Sequence, residues 1–448
     1  MFRRKIYDEI LKWKEESEGT TALLIEGARR IGKSTVVEEF AKNEYKDYLL
    51  IDFSIAEQAL KDNFDNIGNI DIFFRNFFLI AGKTLPERES VIIFDEVQFF
   101  PKARQAIKHL VKDGRFDYIE TGSLISINKN VKDILIPSEE ESIAMYPMDF
   151  EEFLWAIGNN VYADAIREAF HNRKPLGTDI HRRIMQVFRN YMAVGGMPQA
   201  VSAYVDGKDF SAIDRVKRNI LKLYIKDLQK HDEDDTDRAG VVFQSLPEQL
   251  SNHNHIFKLA TVDENARTRN CSNAIDFLKQ SLIVNNCVNV TKPEVALELY
   301  ADKSRFKMFM GDTGLLITYI LQNSKGTPEN LYRAIVLDDI DMNQGMIFEN
   351  MVAQMLRALG YELYFHEYDY RAKGNEKEKH YEIDFLILRG KRLVPIEVKS
   401  SNYTNHKSFD YFKEKYQLKM NERYIIYTKD LQFKDEIMFI PVYMTMCL

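Results

Sequence analysis

At 448 residues and a formal net charge of −7, the chain is too long for one ordinary core, so two to four domains are expected. Apolar residues make up 45% and charged residues 29%, which excludes a compositionally disordered chain; the acidic balance excludes a uniformly basic protein that coats nucleic acid. The three cysteines lack metal or redox spacing, and no apolar run reaches the roughly 20 residues of a membrane span, so we expect a cytoplasmic protein.

The first chemical signature is a phosphate-binding loop. A short apolar strand at residues 22–25 runs into GARRIGKS, which fits G-x-x-x-x-G-K-[ST] and leads into a helix near Lys33. The glycines let backbone N–H groups point at phosphate oxygens, Lys33 would neutralise the β and γ phosphates, and Ser34 would ligate Mg²⁺. We assign nucleotide contacts to loop and first-turn residues: Gly27, Arg30, Gly32, Lys33, Ser34 and Thr35.

Two carboxylates follow a later apolar strand. After a strand at residues 48–53, the run VIIF ends in Asp95 and Glu96, and such a run is typical of a strand buried on both faces of a parallel sheet. Asp95 would hold the Mg²⁺ shell, and Glu96 would act as the base on the attacking water. An Asp-Glu pair is also a common helix N-cap, but the upstream loop favours ATP hydrolysis, and the second carboxylate disfavours a small-molecule kinase.

Several auxiliary roles stay open. A strand at residues 116–120 ends near Thr121 and Ser123, and either hydroxyl could sense the γ phosphate, or the segment is an ordinary turn. Gln98 could orient water or contact a neighbouring element. The chain lacks the N-K-x-D guanine-reading motif, so ATP is preferred over GTP. Four arginines are candidates for an arginine finger, and the sequence selects none of them: Arg29, Arg30, Arg104 and Arg115.

The middle of the chain predicts helices. Residues 148–157, 181–203 and 210–229 have helical periodicity, typical of a lid or a plain spacer beside a nucleotide domain. The acidic run 231–237 is interpreted as a solvated linker and domain boundary. Three short helical patterns and two strand-like pieces within residues 239–310 predict a winged helix, which could bind DNA or protein. Its candidate DNA-contacting residues are Arg267, Arg269, Asn270, Asn273 and Lys279.

The last third carries a nuclease-like pattern. A helix with one acidic residue, Glu349, precedes two strands that carry Asp384, Glu397 and Lys399 in the spacing D…E-x-K. Period-two alternation places Glu397 and Lys399 on one face. The carboxylates could chelate Mg²⁺ against a scissile phosphate while Lys399 positions water or stabilises developing charge. Two alternatives are a surface ion pair on an exposed strand and a nuclease-like fold that binds without cutting.

The order of these motifs resembles a prokaryotic family of AAA-like ATPases that join a P-loop domain to a winged helix and a PD-(D/E)XK nuclease-like domain. The motifs that carry the resemblance span nearly the whole chain: GARRIGKST, IIFDEVQ, ETGSL, YPMDFEEFLW, YMAVGGMPQAV, FMGDTGLL, GMIFENMV and EIDFLIL…VPIEVKSS. The resemblance implies the same two sites: a nucleotide site completed by Asp95 and Glu96, and the nuclease-like site in the last third of the chain. Ser142 and Ile143 depart from the family, which commonly has Gly-Arg there, so no arginine finger is assigned.

These observations predict an α/β fold: a P-loop parallel sheet with a helical lid, a winged-helix segment and a C-terminal restriction-endonuclease-like domain. We expect boundaries at residues 1–160, 161–236, 237–320 and 321–448. The predicted function is ATP binding and hydrolysis coupled to DNA, with ATP and Mg²⁺ as cofactors and a Mg²⁺-dependent nuclease-like domain. The alternative is a nucleotide-gated module with an inert nuclease-like domain, whose partner is DNA, another protein or a second copy of the chain, without a membrane.

Overall fold

The computed structural model describes residues 1–123, 137–231, 238–251, 256–258, 268–322, 324, 326–337, 344–371, 377–400, 406–417 and 422–448. The chain divides into two compact units: Met1–Tyr146 with Gln280–Leu282, and Pro147–Lys279 with Ile283–Leu448. Within the described ranges, no helix combines the length and apolarity that crossing a bilayer requires.

The first unit is built on a five-stranded parallel sheet. Its strands are β1 (Ala22–Gly27), β2 (Asp47–Asp52), β3 (Ser90–Asp95), β4 (Asp117–Gly122) and β5 (Glu140–Met145). Its helices are α1 (Ile6–Ser17), α2 (Lys33–Glu44), α3 (Gln58–Asn63), α4 (Ile70–Ala81) and α5 (Pro101–Asp113). The strand order is β2-β3-β4-β1-β5, and every neighbouring pair is parallel. The predicted α/β architecture with a parallel central sheet is therefore confirmed.

The central strand β3 is fixed by burial on both faces. All six of its residues are buried, as expected for a strand covered by helices on either side. On one face, Phe94 packs 5.5 Å from Phe53 between ring centroids, and Phe53 stacks on Phe100 at 5.2 Å. These aromatic contacts span β3, the end of β2 and the start of α5. They hold the carboxyl end of β3, where the predicted site lies.

The second unit begins with helices and ends in a mixed sheet. Its helices are α6 (Phe150–Ala156), α7 (Asn160–Asn172), α8 (Thr178–Val194), α9 (Pro198–Val205), α10 (Phe210–His231), α11 (Arg238–Ser251), α12 (Thr268–Gln280), α13 (Thr313–Leu321), α14 (Pro328–Val336), α15 (Gln344–Ala358) and α16 (Lys407–Tyr416). Its strands are β6 (Val284–Val290), β7 (Ala301–Met310), β8 (Leu363–Tyr370), β9 (Lys379–Arg389), β10 (Arg392–Val398), β11 (Tyr424–Tyr427), β12 (Gln432–Lys434) and β13 (Ile437–Pro441). They form one sheet in the order β12-β13-β11-β10-β9-β8-β6-β7.

The winged helix expected at residues 237–320 is not confirmed as a separate module. β6 and β7 do form an antiparallel hairpin, but β6 also pairs in parallel with β8, where Cys287 lies opposite Leu363. The hairpin is therefore continuous with the sheet that carries the nuclease-like pattern. The boundary proposed at residue 320 falls between strands of that sheet. Pairing between segments more than 70 residues apart leaves no periodic signal in either segment.

A close packing of glycines explains two motifs of the second unit. A Cβ on Gly196 would lie 2.1 Å from the carbonyl oxygen of Met148, so no larger residue fits there. The backbone N–H of Gly196 donates to Asp312, whose other oxygen accepts from Leu315 N at 2.8 Å and caps α13. Buried Lys217 donates to the carbonyl of Ala193 close by. The strings YMAVGGMPQAV and FMGDTGLL thus meet in one structural core.

Candidate functional sites

The loop between β1 and α2 has the curvature of a phosphate-binding loop. Arg30 and Gly32 both have left-handed backbones, with φ values of 67° and 93°. A Cβ on Gly27 would lie 2.5 Å from the carbonyl oxygen of Met145 on β5, so glycine is required where the loop leaves the sheet. Lys33, Ser34 and the rest of the first turn follow at the N-terminus of α2. Backbone N–H groups at this end are available for an anion.

Lys33 is buried under the loop and bound to neutral partners. Its side chain is 6% exposed, and its Nζ donates to the carbonyls of Gly27 at 3.0 Å and Ala28 at 2.9 Å. Burial lowers the pKa of Lys33 to about 8, while Glu96 and Asp95 partly offset this effect. A bound polyphosphate would supply the negative charge that the loop carbonyls lack.

Asp95, at the end of β3, accepts hydrogen bonds from two hydroxyl groups. The Oγ of Ser34 donates to Oδ1 of Asp95 at 2.8 Å, and the Oγ1 of Thr121 donates to the same oxygen. Ser34 and Asp95 together form a set of hard oxygen donors that suits Mg²⁺, which usually completes its shell with water and substrate phosphates. The residues present therefore fit a nucleotide-bound Mg²⁺.

Glu96 is held in place by its neighbours. It is a non-glycine residue with a φ of 55°, and its backbone N–H donates to Thr121 Oγ1 at 3.4 Å. Its carboxylate accepts from the side-chain amide of Gln98, whose Oε1 accepts from Ser123 N at 3.3 Å. Of the two hydroxyls considered as sensors, Thr121 is the one that contacts both Asp95 and Glu96. A left-handed backbone at a non-glycine residue is uncommon and marks a constrained position.

Two of the four arginine-finger candidates are held in ion pairs of the first unit. Arg104 is 6% exposed and binds Glu140 through Nε at 2.8 Å and Nη2 at 2.6 Å. Arg115 Nη2 lies 2.5 Å from Asp71 and 3.1 Å from Asp113. Both guanidinium groups therefore serve the fold. Ser142 and Ile143 lie inside β5, opposite Leu24 and Ile25.

Arg4 supports the loop and was missed in the sequence. Its Nη1 donates to the carbonyl of Ile31 at 2.8 Å, and its Nη2 donates to the carbonyl of Tyr146 at 2.7 Å. The side chain is 6% exposed. One basic residue in a charged N-terminal segment carries no signal of this role.

A second polar cluster lies in the eight-stranded sheet. The register that pairs Phe385 with Ile396 places Asp384 and Glu397 at the next cross-strand position. Asp384 accepts from Val398 N at 2.7 Å, and Lys399 Nζ lies 3.0 Å from Glu397. Burial raises the pKa of both carboxyls, and Ser408 donates to Glu397. The D…E-x-K residues are therefore neighbours, as the spacing predicts.

Two further charged residues complete this cluster, Lys307 on β7 and Glu382 on β9. Lys307 is 1% exposed and forms an ion pair with Glu382; its Nζ also lies 3.6 Å from Glu349 on α15. A lysine inside the apolar string FKMFM and an acidic residue two positions before Asp384 were the available signals. Across the described ranges, no group of three or more His, Cys, Asp or Glu side chains is arranged to hold a metal ion.

The candidate DNA-contacting residues of the predicted winged helix are only partly described. Lys279 lies 3.6 Å from Asp276 and 5.1 Å above the ring centroid of Phe306, so its charge is engaged inside the second unit. Asn273 is exposed. Arg267 and the side chains of Arg269 and Asn270 lie outside the described residues.

The loop, the parallel sheet and the carboxylate at the end of β3 define a P-loop nucleotide-binding domain. Residues 19–154 match the family described as an AAA domain, so this P-loop domain is of the AAA type, as the residues predict. Residues 185–326 and 344–445 match two families, each described as a domain of unknown function. The first of these two matches runs from α8 across β6 and β7 into the segment after α13.

One relative and three solved structures share at most 25% sequence identity with this chain. An uncharacterized protein of Haemophilus influenzae is 25% identical over 183 residues. The aligned segment covers 40% of this chain and 40% of that relative. A Walker-type ATPase of Pyrococcus abyssi has a TM-score of 0.41 at 14% identity, covering 71% of this chain and 96% of its own. Cdc6p of Pyrobaculum aerophilum has a TM-score of 0.26 at 10% identity, and the ADP form of the ORC2 protein of Aeropyrum pernix has 0.28 at 11%; each covers 74% of this chain and 93% of its own.

Proposed function

We propose that this protein binds ATP with Mg²⁺ and hydrolyses it, and that it uses the nucleotide to control a partner-binding C-terminal domain. The observation that carries the proposal is the cluster at the carboxyl edge of the parallel sheet. Ser34 contacts Asp95 at 2.8 Å, and Thr121 contacts Asp95 and, at 3.4 Å, the backbone of Glu96. A cation on the loop, a metal-binding pair and an adjacent base are the parts that phosphoryl transfer to water requires.

Each residue has a distinct role in this proposal. Lys33 exchanges the loop carbonyls for the β and γ phosphates, which also moves its ammonium group from neutral to charged partners. Ser34 and Asp95 hold Mg²⁺, which, when bound, neutralises charge on the phosphoryl oxygens. Glu96 accepts the proton of the attacking water, and Gln98 keeps that carboxylate oriented until the nucleotide is in place.

The proposed partner of the C-terminal domain is DNA, which it holds without cutting. The cross-strand pair Asp384 and Glu397 beside Lys399 supports a nuclease-like arrangement. The ion pairs of Lys307 with Glu349 and Glu382 favour binding over cleavage, because they engage carboxylates that a metal ion would need. The function is thus a nucleotide-gated grip on DNA.

Three measurements test this function. The protein incubated with ATP and no phosphate acceptor should release phosphate. DNA binding, measured by fluorescence anisotropy, should depend on ATP and should disappear in Lys33→Ala. Incubation with Mg²⁺ and plasmid should give the same products for the wild type and Lys399→Ala. Cutting that Lys399→Ala abolishes would make the domain an active nuclease. Absence of DNA binding in the presence of ATP would remove DNA in favour of a protein partner, and equal binding by the wild type and Lys33→Ala would remove the nucleotide control.

A further inference from the structure

The most unusual group outside the P-loop is the ammonium of Lys307. Its side chain is 1% exposed, and it follows apolar Phe306 and precedes apolar Met308 on β7. Burying an isolated ammonium is very costly, so a lysine at such a depth needs hydrogen-bond acceptors or carboxylates around it. Lys307 has such partners in Glu382 and Glu349.

One of these partners was expected to hold a metal. Glu349, 3.6 Å from Lys307, was predicted as a Mg²⁺ ligand together with Asp384, whose charge also acts on Lys307. Burial alone would lower the pKa of Lys307, but the charges of Glu382, Glu349 and Asp384 together raise it above its ordinary value. Lys307 thus compensates carboxylates from α15 and β9, and Lys399 adds a second positive charge that acts on Asp384.

A divalent ion and this ammonium require the same oxygen lone pairs. Mg²⁺ needs oxygen ligands at about 2.0–2.1 Å in octahedral geometry, whereas Lys307 already donates to Glu382 and pairs with Glu349. Removing a buried ion-pair partner leaves unpaired carboxylates at a high cost, so the lysine cannot simply move aside. The residues present therefore do not fit a metal at this cluster.

We propose that Lys307 takes the place of a divalent cation in the C-terminal domain and keeps the cluster of Glu349, Glu382 and Asp384 free of metal. The inference rests on the proposed function in that it explains why the domain binds without cutting. It differs from an ordinary structural ion pair in one consequence. Removal of the ammonium should let the same carboxylates rearrange around a metal ion.

The test measures Mn²⁺ bound to the full chain, without nucleotide, by electron paramagnetic resonance titration of free Mn²⁺. The wild type should show no binding that depends on Asp384. Lys307→Met should gain one Mn²⁺ at least ten times tighter than any wild-type binding, and Lys307→Met with Asp384→Asn should lose it. Lys279→Met, which removes a partly buried lysine elsewhere in the second unit, should gain none, and neither should Lys307→Arg.

Folding of the variants is part of the readout. Lys307→Gln serves as a second neutral variant, and refolding of both is compared in Mn²⁺ and in a chelator. Folding that requires Mn²⁺ supports the proposal, because the metal then replaces the lost charge. The proposal is overturned if the wild type binds Mn²⁺ through Asp384, if a folded neutral variant gains no metal, or if neither variant folds even with Mn²⁺. Phosphate release from ATP is measured separately, so failure of either proposal is recognised without the other.

Discussion

The two clusters differ in what their buried lysines bind. Lys33, 6% exposed, donates to main-chain carbonyls, and its pKa falls to about 8. Lys307, 1% exposed, faces carboxylates, and its pKa rises. A lysine on neutral acceptors gains favourable electrostatic energy when an anionic ligand binds. A lysine already paired with carboxylates gains no such energy. Burial alone therefore does not mark a ligand-binding lysine, and at these two positions the charge of the partners distinguishes them.

The largest effect should follow from Glu96→Gln. If Glu96 is the base, phosphate release should fall by roughly 10²–10⁴-fold while ATP affinity is retained. Steady-state turnover and nucleotide titration separate the two quantities. Glu15→Gln, on the exposed face of α1, is the matched control and should be unaffected. Normal turnover in Glu96→Gln would place the base elsewhere.

Lys33→Ala sharpens the comparison of the two lysines. Hydrogen bonds to charged groups contribute about 1.5–3 kcal/mol, so nucleotide affinity should fall by roughly 10- to 100-fold or more. Calorimetric titration with a non-hydrolysable ATP analogue measures it. Lys42→Ala removes a lysine of the same helix that pairs with Glu38 at 2.8 Å on the surface, and its affinity should match the wild type. Equal affinities for both variants would contradict the assigned role of Lys33.

Affinity should also depend on pH above about 8. The pKa of Lys33 in the nucleotide-free protein is about 8, and the phosphates favour its charged form, so binding takes up a proton above that pH. Affinity should then decline by up to about tenfold per pH unit. Titrations between pH 7 and 10, in buffers of different ionisation enthalpy, report both effects. Lys33→Arg stays charged and should not show the decline.

The smallest effect concerns stability at the second cluster. Burial raises the pKa of Glu382 to about 7 from an ordinary value of 4.5, so the folded protein holds more protons than the unfolded chain between these values. The contribution of Glu382 to stability is present below pH 4.5 and is lost as the pH rises to about 7. Wild-type stability should therefore fall relative to Glu382→Gln across that window in denaturant titrations. A constant difference would contradict the raised pKa.

Local sequence patterns predict most of the fold and nucleotide site of the first unit. The loop glycines, Lys33 and the buried run before Asp95 are contiguous signals, so the parallel sheet and its nucleotide edge followed from them. The role of Thr121 stayed open, because only the structure shows which hydroxyl after β4 reaches Asp95. Arg4 could not be found, since its partners lie 27 and 142 residues away.

The second unit was harder to predict for the same reason. Asp384, Glu397 and Lys399 follow from strand periodicity and lie together. The joining of β6 and β7 to the later sheet depends on pairing across a long sequence gap. Lys307 changes the chemistry of the cluster from a position 77 residues before Asp384, and no spacing rule connects the two. Hairpin-sized signals are visible in one sequence, whereas the order of strands in a sheet is not.

The two hydrogen bonds of Arg4 connect the phosphate-binding loop to the end of β5. One guanidinium holds the carbonyl of Ile31 in the loop and that of Tyr146, the residue directly before Pro147. Each of these charge-assisted bonds contributes about 1.5–3 kcal/mol. A displacement of the chain at Tyr146 therefore either breaks the bond from Arg4 to Tyr146 or moves Arg4 and, with it, the carbonyl of Ile31. The shape of the phosphate cradle is thereby tethered to the point where the polypeptide leaves the last parallel strand.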